Sequence, residues 1–391
     1  MTELCGDVPP PPPDLAAQIR DEALALGFCR VGFAPVQLPP RGAAALRRWL
    51  AHGYHGAMSY MAEHGPRDDA REIFAATQTV VVVAMAYDKH ARDVAPETAS
   101  GAGFVARYAR GADYHWVLRQ RLQQLAEACQ RLLGRSIAAR ACVDTAPLLE
   151  REMAARAGVA FTGKSTMGIA PGIGTYLLFG ELLIDAEIAP SAPLKPRCGK
   201  CTACLDACPT GAFVDPYVLD ARRCIAYLTI ELRGPIPRAL RPHIGNMVFG
   251  CDICQQVCPF NHSPKPHPAS PALRRPQAFV APDLVALLQL TSSGYRRLVR
   301  NTALRRVSRQ QLARNAAVAL GNSGLPTAVS PLRRALAEHP SPLVRGHAAW
   351  ALGALKAGAT ALTQAAAQDP DPTVRDEARL ALPCPTTPVT V

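Results

Sequence analysis

The arrangement of cysteines limits the fold and chemistry of this chain more than any other feature. Of its 13 cysteines, eight lie between positions 198 and 258. The first four have the spacing C-x2-C-x2-C-x3-C and are followed by proline. Three more have the spacing C-x2-C-x3-C, also followed by proline, and one lies between the two groups. The first spacing is that of bacterial ferredoxins, in which the fourth cysteine binds the other 4Fe–4S cluster.

This crossover predicts two sites of four thiolates each. The first predicted site contains Cys198, Cys201, Cys204 and Cys258, and the second contains Cys208, Cys224, Cys251 and Cys254. A pair of zinc ribbons is the alternative, but the triple C-x2-C-x2-C spacing is unusual for zinc and favours clusters. The other five cysteines are scattered and are expected to be ordinary thiols.

Composition excludes several classes of protein. Of 391 residues, 49% are hydrophobic, too many for a disordered chain. The longest apolar run, at residues 80–87, is too short for a membrane span of about 20 residues. Residues 1–13 lack the basic and apolar regions of a secretory signal, so a cytoplasmic protein with metal-binding cysteines is expected. The formal charge of +12 favours an anionic partner, most often nucleic acid.

Sequence patterns divide the chain into four parts. Residues 1–13 end in five prolines and are predicted to be a flexible lead-in. Residues 14–190 are predicted to form an α/β or α+β domain. Its predicted helices are 15–26 (capped by Asp14), 114–133 and 147–157, and its predicted strands are 79–87, 141–143 and two short ones within 176–188. Residues 191–262 form the ferredoxin-like cysteine module, and 263–391 are predicted to be helical.

Three similar segments recur in the last part of the chain. RNAAVALGN begins at Arg314, RGHAAWALG at Arg345 and RDEARLAL at Arg375, so the offsets are 31 and 30 residues. Periods of this length are typical of helical solenoids, in which each helix pair packs against the next. The pattern predicts a short array of HEAT-like repeats. A plain helical bundle with an alanine-rich core is the alternative.

Several motifs together resemble the epoxyqueuosine reductase family over residues 15–382. The motifs are HGAMSYM at 55–61, R-x3-R at 67–71, RYARGADYH at 107–115, VDTAPLLE at 143–150, GKST at 163–166, RCIAYLTIE at 223–231 and GCDICQQVCPFN at 250–261. The resemblance implies an oxidoreductase with cobalamin and two 4Fe–4S clusters. It also implies reduction of epoxyqueuosine to queuosine at the wobble position of tRNAs with a G-U-N anticodon, the last step of that modification.

The resemblance also implies roles for particular residues. Asp144 is the expected proton donor and cofactor neighbour, which requires burial to raise the pKa of its carboxyl. The alternative is that Asp144 or Thr145 caps a helix that begins near Pro147. The remaining residues expected to contact cobalamin are Arg67, Arg107, Tyr108, Lys164, Ser165, Thr166, Gly168, Tyr227 and Thr229.

A basic stretch near the repeats suggests how tRNA binds. Its arginines are Arg274, Arg275, Arg296, Arg297, Arg300, Arg305, Arg306, Arg309 and Arg314, with Asp283 as the one acid among them. Such density of one sign is expected to contact phosphates. A solvated helix face is the alternative. We expect a monomer with an unidentified electron donor and no membrane partner. A ferredoxin-type electron carrier and a reductive dehalogenase-like enzyme are the competing functions.

Overall fold

A computed structural model of the chain describes residues 14–65, 67–87, 100–262, 267–274 and 279–383. The predictions for residues 1–13 and for Arg275 lie outside these ranges. The strands are β1 (Arg30–Ala34), β2 (Thr79–Ala86), β3 (Phe104–Val105), β4 (Ala139–Cys142), β5 (Phe161–Thr162), β6 (Gly168–Ile169), β7 (Leu177–Ile184), β8 (Phe213–Asp215), β9 (Val218–Leu219) and β10 (Met247–Phe249). The helices are α1 (Leu15–Ala25), α2 (Arg41–Ala51), α3 (Tyr114–Leu133), α4 (Glu150–Arg156), α5 (Ala203–Asp206), α6 (Ile225–Ile230), α7 (Ile253–Gln256), α8 (Leu284–Leu288), α9 (Ser292–Val299), α10 (Arg309–Asn322), α11 (Val329–Glu338), α12 (Pro342–Ala354), α13 (Ala359–Gln368) and α14 (Pro372–Ala381).

The N-terminal domain is built on a sheet with the strand order β1-β2-β7-β4. Every neighbouring pair is antiparallel, so the domain is of the α+β class. All eight residues of β2 are buried because both faces of the sheet are covered. Val81 and Val83 belong to one core with α3, and Val80 and Val82 belong to the core on the α4 side. This explains why β2 is a continuous apolar run.

Two local predictions for this domain were wrong. Residues 176–188 contain one long strand, β7, instead of two short ones. The helix expected at 147–157 begins at Glu150, and Leu149 is its N-cap. By contrast, the structure confirms α1 and α3. Helix α3 starts where the Asp113 side chain accepts a hydrogen bond from the His115 amide, and it ends at Gly134, whose φ is 62°.

The cysteine module joins the N-terminal domain through backbone and side-chain hydrogen bonds. Strand β10 of the module pairs in parallel with β3. The Asn261 amide donates to the Thr175 hydroxyl over 2.8 Å, and that hydroxyl donates to Gln255 over 3.1 Å. These contacts place the second cysteine run beside the segment that follows β3.

The C-terminal helices stack as the repeat pattern predicts. Helices α10, α12 and α14 pack successively, while α11 packs on α12 and α13 on α14. A Cβ atom at Gly321 would lie 2.8 Å from the Ala351 Cα, and one at Gly353 would lie 2.8 Å from the Ala381 Cβ. The two glycines therefore allow the successive helices to approach closely. No helix in the described ranges is long and apolar enough to cross a membrane.

Candidate active site

The eight clustered cysteines lie in two groups. Burial, and then the neighbouring thiols of Cys198, Cys204 and Cys201, raise the pKa of Cys258. In the second group, burial, and then the thiols of Cys224 and Cys208, raise the pKa of Cys251. The Cys254 pKa is also raised, by burial and then by Cys251 and Cys224. The thiols of each predicted site therefore influence one another, although Cys204 of the first group also acts on Cys254 of the second.

A zinc ion and a 4Fe–4S cluster hold their four thiolates at different separations. A structural zinc ion needs four thiolates within about 2.3 Å of one point. Within the described ranges, no three His, Cys, Asp or Glu side chains converge on a position for a single ion, and this includes His243, His262 and His267. A cubane cluster holds its thiolates farther apart, because each sulfur binds a different iron atom.

Asp144 lies directly after β4 in a left-handed backbone conformation, with φ 58°. Its Oδ2 atom accepts a hydrogen bond from the Tyr114 hydroxyl at 3.0 Å and lies 3.1 Å from His115 Nε2. The other ring nitrogen of His115 lies 2.8 Å from the Asp113 carboxylate. Because α4 begins only at Glu150 and Asp144 caps nothing, the capping alternative for Asp144 was wrong.

The two carboxylates around His115 control its charge and that of Asp144. Burial alone lowers the pKa of His115, but hydrogen bonds to Asp113 and Asp144 outweigh burial and raise this pKa to about 9. Burial alone raises the pKa of Asp144, but hydrogen bonds from His115 and Tyr114 hold this pKa below its ordinary value. The expected rise in the Asp144 pKa was therefore wrong. At neutral pH the proton of this pair lies on the imidazole, and Asp144 is ionised.

Asp144 is partly open to solvent where side chains of several elements approach it, and we call this opening the cleft. Its side chain is 56% exposed, yet burial by surrounding atoms is the largest influence on its pKa. The cleft is bounded by Tyr60, Tyr108, Glu231 and Arg306. Arg306 forms a 2.9 Å ion pair with Glu231, and its guanidinium lies 5.4 Å from the centre of the Tyr60 ring. Side chains from the N-terminal domain, the cysteine module and the segment before α10 thus meet at one opening.

Three of the expected cofactor residues lie on or behind the cleft wall. Arg67 is buried, with φ 63°, and donates to the Tyr60 carbonyl over 2.8 Å. Its main-chain carbonyl accepts from Leu149, so Arg67 lies between the Tyr60 segment and the loop that follows Asp144. Arg107 lies 5.0 Å over the Tyr176 ring. The Tyr108 ring lies 5.9 Å from the Tyr114 ring.

The loop at residues 163–168 connects the N-terminal domain to the first cysteine run. Lys164 donates to the carbonyls of Gly199 and Cys201 over 2.8 and 2.9 Å. Ser165 is buried, and the Thr166 carbonyl accepts a hydrogen bond from Arg151. Gly168 lies in β6, where a Cβ atom would be 2.5 Å from the Phe179 ring. The Lys164 ammonium therefore holds the cysteine loop in this structure.

Tyr227 and Thr229 lie inside the protein. The Tyr227 hydroxyl accepts a hydrogen bond from the Ala57 amide at 2.7 Å. The Thr229 hydroxyl donates to the Ile225 carbonyl over 2.7 Å and accepts from the Gly250 amide at 2.9 Å. Because Thr229 is fully buried, its position disfavours direct contact with a cofactor.

The arginines of the basic stretch differ in exposure. Arg314 was expected on the surface, and this was wrong, because it is fully buried and donates to the Leu228, Leu232 and Gly234 carbonyls. Arg309 is half-buried and donates to the Leu290 carbonyl. The exposed members in the described ranges are Arg274, Arg296, Arg297, Arg300, Arg305 and Arg306.

Comparison with known proteins identifies the parts of the chain. Residues 67–145 match the family described as epoxyqueuosine reductase QueG. Residues 197–261 match the 4Fe-4S double cluster binding domain, and residues 299–383 match HEAT repeats. The repeat prediction is thereby confirmed.

Whole-chain relatives give the same result. Epoxyqueuosine reductase of Pseudomonas aeruginosa is 43% identical over 88% of this chain and 95% of its own. That of Escherichia coli is 40% identical over 86% of this chain and 89% of its own. A crystal structure of epoxyqueuosine reductase with an epoxyqueuosine-modified tRNA-Tyr stem loop superimposes with a TM-score of 0.87 and 30% identity. It covers 94% of this chain and 98% of the other.

The fold and the paired cysteine runs define an iron–sulfur oxidoreductase with a terminal HEAT-repeat domain. At the identities found over nearly nine-tenths of the chain, the relationship extends beyond the cysteine module. The chain belongs to the epoxyqueuosine reductase family.

Proposed function

We propose that this chain reduces epoxyqueuosine in tRNA to queuosine. Relatives named epoxyqueuosine reductase match nearly nine-tenths of this chain. The similar crystal structure contains the modified stem loop. Conversion of the epoxide to an alkene breaks both of its carbon–oxygen bonds and releases water. That reaction consumes two electrons and two protons, so the protein must supply both. The names of the relatives favour this function over an electron carrier or a dehalogenase.

The two groups of thiols supply the electron path. We assign Cys198, Cys201, Cys204 and Cys258 to one 4Fe–4S cluster and Cys208, Cys224, Cys251 and Cys254 to the other. The second group adjoins the cleft: Asp252, between Cys251 and Cys254 in sequence, accepts a hydrogen bond from the Arg107 amide over 2.8 Å. Arg107 directly precedes Tyr108 at the cleft wall. The cluster held by the second group is therefore the final carrier before the cleft.

Electrons enter at the first group. Cys201 is the exposed member of the eight. Val214 and Tyr217 present exposed apolar surface nearby, and the Tyr217 amide donates to the carbonyl of Lys164, which itself binds the Cys201 loop. A protein electron donor that docks here would reach the first cluster over a short distance. We place the enzyme in the cytoplasm, because its proposed substrate is tRNA, and the expectation of a monomer stays a prediction.

Cobalamin fits the cleft. Two buried nitrogen atoms, Arg67 Nε and His55 Nδ1, have no hydrogen-bond partner in the described ranges and can meet the amide groups of a corrin. Tyr108 and Tyr114 offer aromatic surface, and the GKST loop offers further donors through Ser165 and Thr166. When bound, reduced cobalamin supplies the strong reductant or nucleophile that opens an epoxide, chemistry that amino-acid side chains perform poorly.

The His115–Asp144 pair moves protons at the cleft. His115 holds the proton and Asp144 bears the negative charge, so transfer within the pair makes Asp144 the neutral acid that faces the substrate. Tyr114 keeps the Asp144 carboxylate in place during that transfer. Asp113 stabilises the imidazolium until it gives up its proton. The acid is therefore a pair of residues, with Asp144 as the member that donates to the epoxide oxygen.

The exposed arginines before α10 lead to this cleft. Arg296, Arg297 and Arg300 lie on or next to α9, and Arg305 directly precedes Arg306 at the opening. Guanidinium groups in such a row suit the phosphates of an anticodon stem loop. The modified base would then enter the cleft toward Asp144.

Complementation tests the function without purification. A bacterial strain that lacks its own epoxyqueuosine reductase should regain queuosine in its tRNA when it expresses this chain. A variant with Cys251 and Cys254 replaced by serine serves as the negative control. Persistent epoxyqueuosine in a strain that expresses the intact chain at normal levels would refute the proposal.

A further inference from the structure

A buried carboxyl lies in the central sheet of the N-terminal domain. Glu181 lies in the middle of β7 and is fully buried. No donor elsewhere in the described ranges bonds either of its oxygens. Its carboxyl faces that of Glu150 at the start of α4. A buried carboxylate without a donor is costly, so Glu181 is expected to keep its proton and share it with Glu150.

Glu150 connects this buried acid to the active site. Its Oε1 atom accepts a hydrogen bond from the Asp144 amide at 2.8 Å. Burial, and then the charge of Asp144, raise the pKa of Glu150 to about 7. Burial, and then the charge of Glu150, raise the pKa of Glu181 well above its ordinary value. Near neutral pH Glu181 therefore keeps its proton, while Glu150 exchanges its own proton with solvent and is the member that becomes ionised.

We infer that the Glu150–Glu181 pair is a positioning device for Asp144. The Glu181 hydroxyl group holds the Glu150 carboxylate, and that carboxylate holds the Asp144 amide. This chain of contacts fixes residue 144 in its left-handed conformation, which few non-glycine residues adopt without support. The side chain of Asp144 is thereby directed at Tyr114, His115 and the cleft. The inference rests on the proposed role of Asp144, while Glu150 and Glu181 touch no substrate themselves.

The arrangement predicts a pH dependence of this support. The titratable or charged groups that face Glu150 are Asp144, His115, Arg151, Tyr114, Cys142 and Glu181. As the pH falls through about 7, Glu150 takes up a proton and becomes a weaker acceptor. The Asp144 amide should then lose protection, whereas the imidazolium of His115 remains charged in that range.

Hydrogen exchange of the Asp144 amide tests the inference directly and needs neither substrate nor cofactor turnover. Replacement of Glu150 by alanine should lower the amide protection factor about 10- to 100-fold, the effect of losing a hydrogen bond to a charged group. Glu150→Gln retains an acceptor, and Glu181→Gln retains a donor, so both should keep most of the protection. Glu181→Leu should lower it, because Glu150 then loses its donor. Glu152→Ala is the matched control, since the Glu152 carboxyl pairs with Arg156 on the same helix.

Turnover supplies the second readout. Glu150→Ala should lower kcat by about 10- to 100-fold, as expected when an acid is displaced by about 1 Å, with KM for tRNA unchanged. Unchanged Asp144 protection in Glu150→Ala would overturn the inference, whatever the activity. If the wild-type protein shows no reduction of epoxyqueuosine, the proposed function fails, and the exchange result still decides whether the pair positions Asp144.

Discussion

Arg314 should be among the most important residues for the stability of the repeat domain. Its side chain is fully buried and makes five hydrogen-bond contacts, one for each guanidinium N–H. Three are with the main-chain carbonyls of Leu228, Leu232 and Gly234 in the cysteine module. The other two are with the Asn315 side chain, which itself donates to the Thr229 and Val248 carbonyls.

The magnitude follows from these contacts. Replacement of Arg314 by methionine keeps much of the apolar stem but removes a donor from the carbonyls of Leu228, Leu232 and Gly234, of which Leu232 still accepts from Gln311. A carbonyl left unsatisfied costs about 1–3 kcal/mol, so the total loss should be about 3–5 kcal/mol, allowing for partial relaxation. Arg314→Lys keeps the charge and three donors, so it should lose roughly half as much.

Urea unfolding, followed by the helical circular dichroism signal, measures these losses. The urea concentration at the midpoint of the first unfolding transition should be lower in Arg314→Lys than in the wild type, and lower still in Arg314→Met. Arg300→Met is the matched control, because Arg300 is exposed, and surface changes are usually within about 0.5 kcal/mol. If both Arg314 variants unfold at the same urea concentration as the wild type, the buried network does not stabilise the domain as argued.

The other predictions concern the chemistry. Asp144→Asn should keep its iron and its fold but lose about 10²- to 10⁴-fold in turnover, measured with modified tRNA, because an amide is not an acid; near wild-type turnover would remove Asp144 from catalysis. Turnover should fall as the pH rises through about 9, because the pKa of His115 is raised to about 9 and the imidazole loses its proton above that pH. A rate that is constant across this range would contradict the role of His115. Replacement of Arg296, Arg297 and Arg300 by alanine should raise KM for tRNA and flatten its salt dependence by roughly 0.7–0.9 per lost phosphate contact; an unchanged slope would leave these arginines as solvated surface.

Local patterns made several parts of this fold predictable. Cluster cysteines are close in sequence, so their spacing reveals the chemistry before the fold is known. The repeats were recognisable because Arg345 and Arg375 make equivalent hydrogen bonds. Arg345 donates to the His339 carbonyl and Arg375 to the Asp369 carbonyl, each six residues earlier. Strand β2 was clear because a run buried on both faces is apolar throughout.

Long-range contacts explain what sequence reasoning missed. His115 and Asp144 are 29 residues apart, so the ion pair that lowers the Asp144 pKa depends on how α3 meets β4. Glu181 interrupts an apolar run, yet the fold keeps it within one strand, where its carboxyl faces that of Glu150. Arg314 occupies the same position in its repeat as Arg345, and both are buried, but the carbonyls that accept from Arg314 belong to the adjoining cysteine module. Contacts of that kind leave no local signal.

In the proposed reaction, this chain uses cluster electrons and cobalamin to remove the epoxide oxygen. The most direct test is an anaerobic reaction of the reconstituted protein with epoxyqueuosine-modified tRNA, a low-potential reductant and cobalamin, with the nucleosides analysed by mass spectrometry. We expect about eight iron atoms per chain, because two cubane clusters require that number. We also expect conversion to queuosine only when cobalamin is present. Full conversion without cobalamin, or protein that is loaded with both groups and leaves epoxyqueuosine intact, would contradict the proposed reaction.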